Sequence, residues 1–180
     1  LVGSEMCIRD SIRRFKDKYN QSWQKMTPVL SVITQSGRLV WLWLGSRNAA
    51  KNTNLLRDNN VRSRMSMLGR ASVPHKSGIT DLLWYDMNRV VGVRGDHGLW
   101  PELQSLFQQV AEELYAGKDT LVFCQQGARR SAAFVGAFIM MLTGQKGKEV
   151  YDYLKGASWL RGLFEGCLLY TSDAADDALS

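Results

Sequence analysis

A cysteine followed six positions later by an arginine, with a glycine between them, is a combination that can do chemistry. The sequence has one at Cys124, Gly127 and Arg130, in the run LVFCQQGARRSAAFVGAF. A loop that short can curl around one tetrahedral oxyanion with its backbone N–H groups pointing inward. Gly127 permits φ values that other residues resist. A helix beginning near Arg130 adds unsatisfied N–H groups and a partial positive charge, and Arg130 can grip two anion oxygens bidentately. At the bottom of such an electropositive cup, Cys124 has a lowered pKa and attacks as the thiolate.

Positioning these groups requires a strand before them and a helix after. TLVFC (120–124) is short and wholly apolar, the pattern of a buried strand, and SAAFVGAFIMMLTG reads as a helix apolar on most sides that closes at Gly144. Upstream, PVLSVIT (28–34) and LVWLWLG (39–45) are β-rich runs around the turn QSGR, predicting a hairpin. Trp41 and Trp43 alternate along the second run, as core and sheet-surface residues do. Ser46 is placed to cap a helix over 47–58. VRSRMSML (61–68) alternates as a half-buried strand would, 69–79 is loop, and ITDLLWYDM (79–87) is a strand, with RVVGV (89–93) extending it or forming another. From Pro101, Leu103, Leu106, Phe107, Val110 and Leu114 recur at helical spacing until Gly117. KEVYDYLKG (148–156) is a further helix with a final turn near SWLRGLF, and residues 12–27 are a basic helix or arm. The order predicts a single α/β domain, a central mixed sheet flanked by helices.

C-Q-Q-G-A-R-R-S resembles the phosphate-binding signature of the cysteine-dependent protein phosphatases, in the small dual-specificity branch. The likeness extends through LVWLWLGSRNAAKNTNLLRDNNVRSRMSML and PELQSLFQQVAEELYAGKDTLVFC, and the order of elements agrees. The resemblance implies that Cys124 forms a phosphocysteine intermediate and that Arg130 binds phosphate and stabilises the transition state. Gln125, Gln126, Gly127, Ala128, Arg129 and Arg130 would line the loop with their amides. Ser131 would hydrogen-bond the sulfur and ease its departure. It also implies an upstream aspartate as general acid, Asp96 in RGDHGLW, with Asp86 as the fallback. The substrates implied are proteins phosphorylated on tyrosine, serine or threonine. One departure is Phe123, where the family usually has a histidine that helps set the loop and the thiolate pKa. A catalytically weak pseudophosphatase that binds phosphorylated partners is therefore the alternative reading.

The chain has 180 residues, 45% hydrophobic and 22% charged, which excludes a disordered, collagen-like or disulfide-rich protein. Its ends, LVGSEMCIRDS and CLLYTSDAADDALS, lack helical or strand periodicity and resemble translations of opposite strands of one sequencing-adapter element. Residues 1–11 and 167–180 are accordingly read as adapter-derived scars and 12–166 as the domain. Of the 23 basic and 17 acidic residues, the scars hold one arginine and five acids, leaving 22 against 12 in the domain. Such a surface suits phosphorylated partners. The charges are scattered, so a nucleic-acid partner is not expected; nor is a membrane span, the longest apolar run being too short. Cys124 is the one cysteine outside the scars, which points to a reducing compartment, the cytoplasm or the nucleus. His75 and His97 lie in polar loops without a Cys or Asp at ligand spacing, so no metal or organic cofactor is expected. The Met140–Met141 pair reads as packing. A monomer is expected.

Overall fold

The computed structural model describes residues 26–68, 73–83, 85 and 100–156, excepting the side chains of 100–102. Among these residues ten elements follow one another: β1 (Met26–Ile33), β2 (Leu39–Ser46), α1 (Arg47–Lys51), α2 (Thr53–Asp58), β3 (Val61–Ser66), β4 (Thr80–Asp81), α3 (Trp100–Tyr115), β5 (Asp119–Cys124), α4 (Arg130–Thr143) and α5 (Gly147–Gly156). The strands form one sheet in the order β1-β2-β5-β3-β4. β1 pairs antiparallel with β2, closed by a turn in which Gly37 N–H donates to the Thr34 carbonyl at 2.9 Å with Gly37 at φ +78°. The pairs β2–β5, β5–β3 and β3–β4 are parallel, so the sheet is mixed, as the pattern of elements predicts.

β5 has a neighbour on each side and is buried along its whole length. Its alternate residues feed two cores. Val122 and Cys124 join the larger one, with Leu106, Phe107, Val110 and Leu114 of α3 and Phe134, Val135, Phe138 and Ile139 of α4. Phe107 meets Phe134 and Phe138 in tilted contacts with centroids 4.9 and 5.7 Å apart, locking the two helices together over the sheet. On the other face Leu121 and Phe123 pack with Trp43, Ala50, Leu56, Val61, Val73 and Ile79. Trp43 also donates its indole N–H to Asp119 at 3.2 Å. Burial pushes the Asp119 carboxyl up, against the indole, the Trp41 amide and the Arg38 charge, which lower it.

Several expectations are corrected. The helix over 47–58 is two short helices, because Asn52 takes an extended conformation (φ −82°, ψ 96°) and its side chain accepts from Leu55 N–H, capping a new start. β3 is not half-buried: lying between β5 and β4, it buries Ser63, Arg64, Met65 and Ser66 as well as Val61. Among the described residues of the strand expected at 79–87, ladder pairing is confined to Thr80–Asp81; beyond it, Leu82 and Tyr85 still donate their amides to β3 carbonyls at 2.9 Å. Met140 packs against the core, but Met141 is 43% exposed. Of the basic helix or arm expected at 12–27, Met26 and Thr27 belong to β1 instead and the rest lies outside the described residues, as do the expected elements at 89–93 and 158–164 and both scars.

Candidate active site

The carboxyl ends of the parallel strands meet at one edge of the sheet, the place where open α/β sheets take their ligands. Ser46 ends β2 beside Cys124, which ends β5, in the parallel register. After Cys124 the chain turns through residues 125–129 and enters α4 at Arg130. Gln125, Gln126 and Arg129 are exposed, Arg130 is half-buried, and Gly127, Ala128 and Ser131 are buried. Ala128 sits in the larger core and pins the loop from beneath.

The Cys124 sulfur receives two hydrogen bonds, from Gly127 N–H and from the Ser131 hydroxyl, both at 3.2 Å. Burial pushes the thiol up. The Ser131 hydroxyl and the amides of Ser131, Gly127 and Arg129 outweigh it, holding Cys124 below the ordinary thiol value. Those donors stabilise the thiolate even though residue 123 is a phenylalanine. Phe123 is buried in the second core, on the face opposite Cys124. Ser131 lies one residue inside α4 and is not its cap; the cap position is Arg129, whose side chain makes no capping bond. The hydroxyl is thereby released to face the sulfur.

The loop rests on a shelf built from the end of β2 and the start of α1. Gly127 has φ +79°, and a Cβ there would stand 2.6 Å from the Gly45 carbonyl carbon and oxygen. Arg47 N–H donates to the Gln125 carbonyl at 3.4 Å, while Ser46 caps α1 by accepting from Ala49 N–H at 3.2 Å. The Leu-Gly-Ser step at 44–46 signals a strand end in the sequence, but nothing local announces that it carries the loop. Asp96 and Asp86, the two candidates for the general acid, lie outside the described residues, as does His97. His75 has an acidic partner after all: its Nδ1 is 2.9 Å from Asp81, which also pairs with Arg64. Among the described residues no three His, Cys, Asp or Glu side chains cluster as a metal site would require.

Removing the Ser131 hydroxyl takes away a donor that favours the charged sulfur. Ser131→Ala is therefore expected to move the midpoint of Cys124 alkylation to higher pH. At pH 6 the rate should fall about tenfold, the worth of one hydrogen bond to a charged group. Iodoacetamide kinetics across pH 5–9 would check it, and an unchanged profile would show that the amides alone set the thiolate.

Residues 42–160 match the family profile described as dual specificity phosphatase, catalytic domain. No curated protein sequence matches the chain. Among solved structures it is similar to human DUSP28, with 24% identity, a TM-score of 0.58, and 77% of this chain and 95% of that one covered. It is also similar to the human tyrosine phosphatase-like serine/threonine/tyrosine-interacting protein, at 19% identity and TM-score 0.60 over 77% and 93% of the two chains. A mouse putative dual specificity phosphatase complexed with zinc tungstate aligns at 19% identity and TM-score 0.56, covering 89% and 96%. These likenesses describe a shared fold.

Proposed function

Given that the chain belongs to the dual specificity phosphatase catalytic-domain family, we propose that it hydrolyses phosphotyrosine and phosphoserine or phosphothreonine in proteins through a phosphocysteine intermediate. The observation carrying this reading is the Cys124 sulfur held by Gly127 N–H and the Ser131 hydroxyl, each at 3.2 Å, at the mouth of α4. The domain is taken as residues 12–166, with the scars outside it; the family match falls wholly within that range.

In the first step the Cys124 thiolate attacks phosphorus. An S–P bond forms, the ester P–O bond breaks, and Asp96 gives its proton to the leaving oxygen. The loop amides of 125–130 and Arg130 take up the charge of the three equatorial oxygens. In the second step the Asp96 carboxylate removes a proton from water, which attacks phosphorus. The S–P bond breaks, and the departing thiolate recovers the hydrogen bond from Ser131. No metal takes part in this scheme.

The weak, binding-only alternative draws on Phe123 and on a structural neighbour described as phosphatase-like. The intact Cys124, Arg130 and Ser131 set favours the enzyme. Hydrolysis of a small aryl phosphate in the presence of a chelator, across pH 5–8, separates the two. Turnover inhibited by vanadate is expected, and Asp96→Asn should lower kcat on that substrate by about 100-fold, with Asp86→Asn close to unchanged. A folded protein that binds vanadate yet shows no turnover would make the binding-only reading the right one.

A further inference from the structure

Arg64 stands opposite Leu121 in the parallel register, on the sheet face that carries Phe123, and is 1% exposed. Among the described residues it and Asp119 are the buried charged side chains. Burying a guanidinium costs heavily unless its donors are matched, and here they are. Nη1 donates to the Ala50 carbonyl at 2.7 Å, Nη2 to the Pro74 carbonyl at 2.7 Å and to Asp81 Oδ2 at 3.2 Å, and Nε to Asp81 Oδ1. One side chain thus ties β3 to α1, to the loop at 73–79 and to β4. Burial raises the Asp81 carboxyl, but hydrogen bonds and charge from Arg64 and His75 hold it below its usual range and keep it ionised opposite the guanidinium.

The tie to α1 bears on the site. A five-residue helix has little stability of its own, and Ala50 lies in its last turn, where carbonyls lose their in-helix partners. Ser46 fixes one end of α1 and Arg64 the other. The first amide of α1 bonds the Gln125 carbonyl, and the Gly45–Ser46 backbone is the surface that Gly127 meets. On this face β5 contributes the apolar Leu121 and Phe123, and at its other end Asp119, which accepts from the Trp43 indole. We infer that Arg64 is a positioning residue for the phosphate loop: its guanidinium holds α1 in place, and α1 holds residues 125–127 in the shape that faces Cys124 with amides. This rests on the reading of 124–131 as an oxyanion loop.

The test compares Arg64→Met, Arg64→Lys and Asp81→Asn with the unchanged chain in three measurements: thermal unfolding, the pH profile of Cys124 alkylation, and vanadate affinity by calorimetry. Arg64→Met is expected to move the alkylation midpoint to higher pH and to weaken vanadate binding about tenfold, the equivalent of one lost positioning interaction. Arg64→Lys keeps the charge but not the planar fork that spans three acceptors, so about a threefold loss is expected. Should Arg64→Met fail to fold, the other two decide, since Asp81 is 38% exposed on its side chain and tolerates an amide. Folded variants that melt earlier yet keep the original alkylation profile and vanadate affinity would overturn the inference, leaving Arg64 as an anchor of the core. If the unchanged chain itself neither binds vanadate nor shows a thiolate at neutral pH, the oxyanion-loop reading falls first and this one with it.

Discussion

Cys124→Ser is expected to lower turnover of an aryl phosphate by on the order of 10⁴-fold while leaving the oxyanion site intact, because the loss of a covalent nucleophile is not compensated by binding groups alone. A serine hydroxyl is far less acidic than a thiol, so the donors that hold Cys124 as a thiolate do not make a serine alkoxide at neutral pH. The surroundings tolerate the exchange: Gly127 N–H and the Ser131 hydroxyl, each 3.2 Å from the sulfur, find an oxygen acceptor in its place. Removing a negative sulfur from beneath a phosphate dianion also relieves like-charge repulsion, so vanadate or phosphate should bind at least as tightly as before. Steady-state rates and calorimetry on the same preparation check both halves. Residual turnover within tenfold of the original would mean that another group attacks phosphorus. Lost binding would mean that the loop needs the sulfur for its shape.

What could be read from the chain and what could not divides by the range of the interaction responsible. Cys124, Arg130 and the elements on either side of them announce themselves locally: TLVFC is apolar throughout, and the spacing of Leu106, Phe107, Val110 and Leu114 is helical. The structure places Leu106, Phe107, Val110 and Leu114 in one core with Val122 and Cys124. Residue type alone makes Ser131 a helix cap, and it is the resemblance of the whole signature that assigns its hydroxyl to the Cys124 sulfur. Here Arg129 occupies that place and the hydroxyl turns to the sulfur. Asn52 breaks the helix through a side-chain bond that competes with helical geometry, a choice that apolar periodicity does not register. Arg64 was hidden most thoroughly. Alternation along β3 assigns a charged residue to solvent, whereas the acceptors that make its burial affordable come from Ala50, Pro74 and Asp81, ten to seventeen residues away. Contacts of that kind belong to the tertiary fold, as does the meeting of Gly127 with Gly45.

That meeting makes Gly127→Ala the second large effect. The substitution faces two obstacles at once. At φ +79° an alanine is held in the left-handed region, which costs about 1–2 kcal/mol for an L-residue. Its Cβ would also lie 2.6 Å from the Gly45 carbonyl carbon and oxygen and 3.0 Å from Ser46 N, all of them backbone atoms in or at the end of a paired strand. Since β2 is fixed by β1 on one side and β5 on the other, the loop must move. When it moves, Gly127 N–H leaves the sulfur and the Gln125 carbonyl leaves Arg47 N–H. Turnover should fall by at least about 100-fold, because the preorganised amides that stabilise the transferring phosphoryl group are displaced together. Vanadate affinity should fall with it, and the Cys124 alkylation midpoint should rise. The melting temperature should drop by about 5 °C, the size expected for a loss of one to two kcal/mol in a domain of this length. That pattern differs from Cys124→Ser, which stops chemistry and spares binding. A Gly127→Ala protein that binds vanadate as the unchanged chain does would show that the loop tolerates a side chain against β2, and that the Gly45–Ser46 shelf does not set its shape.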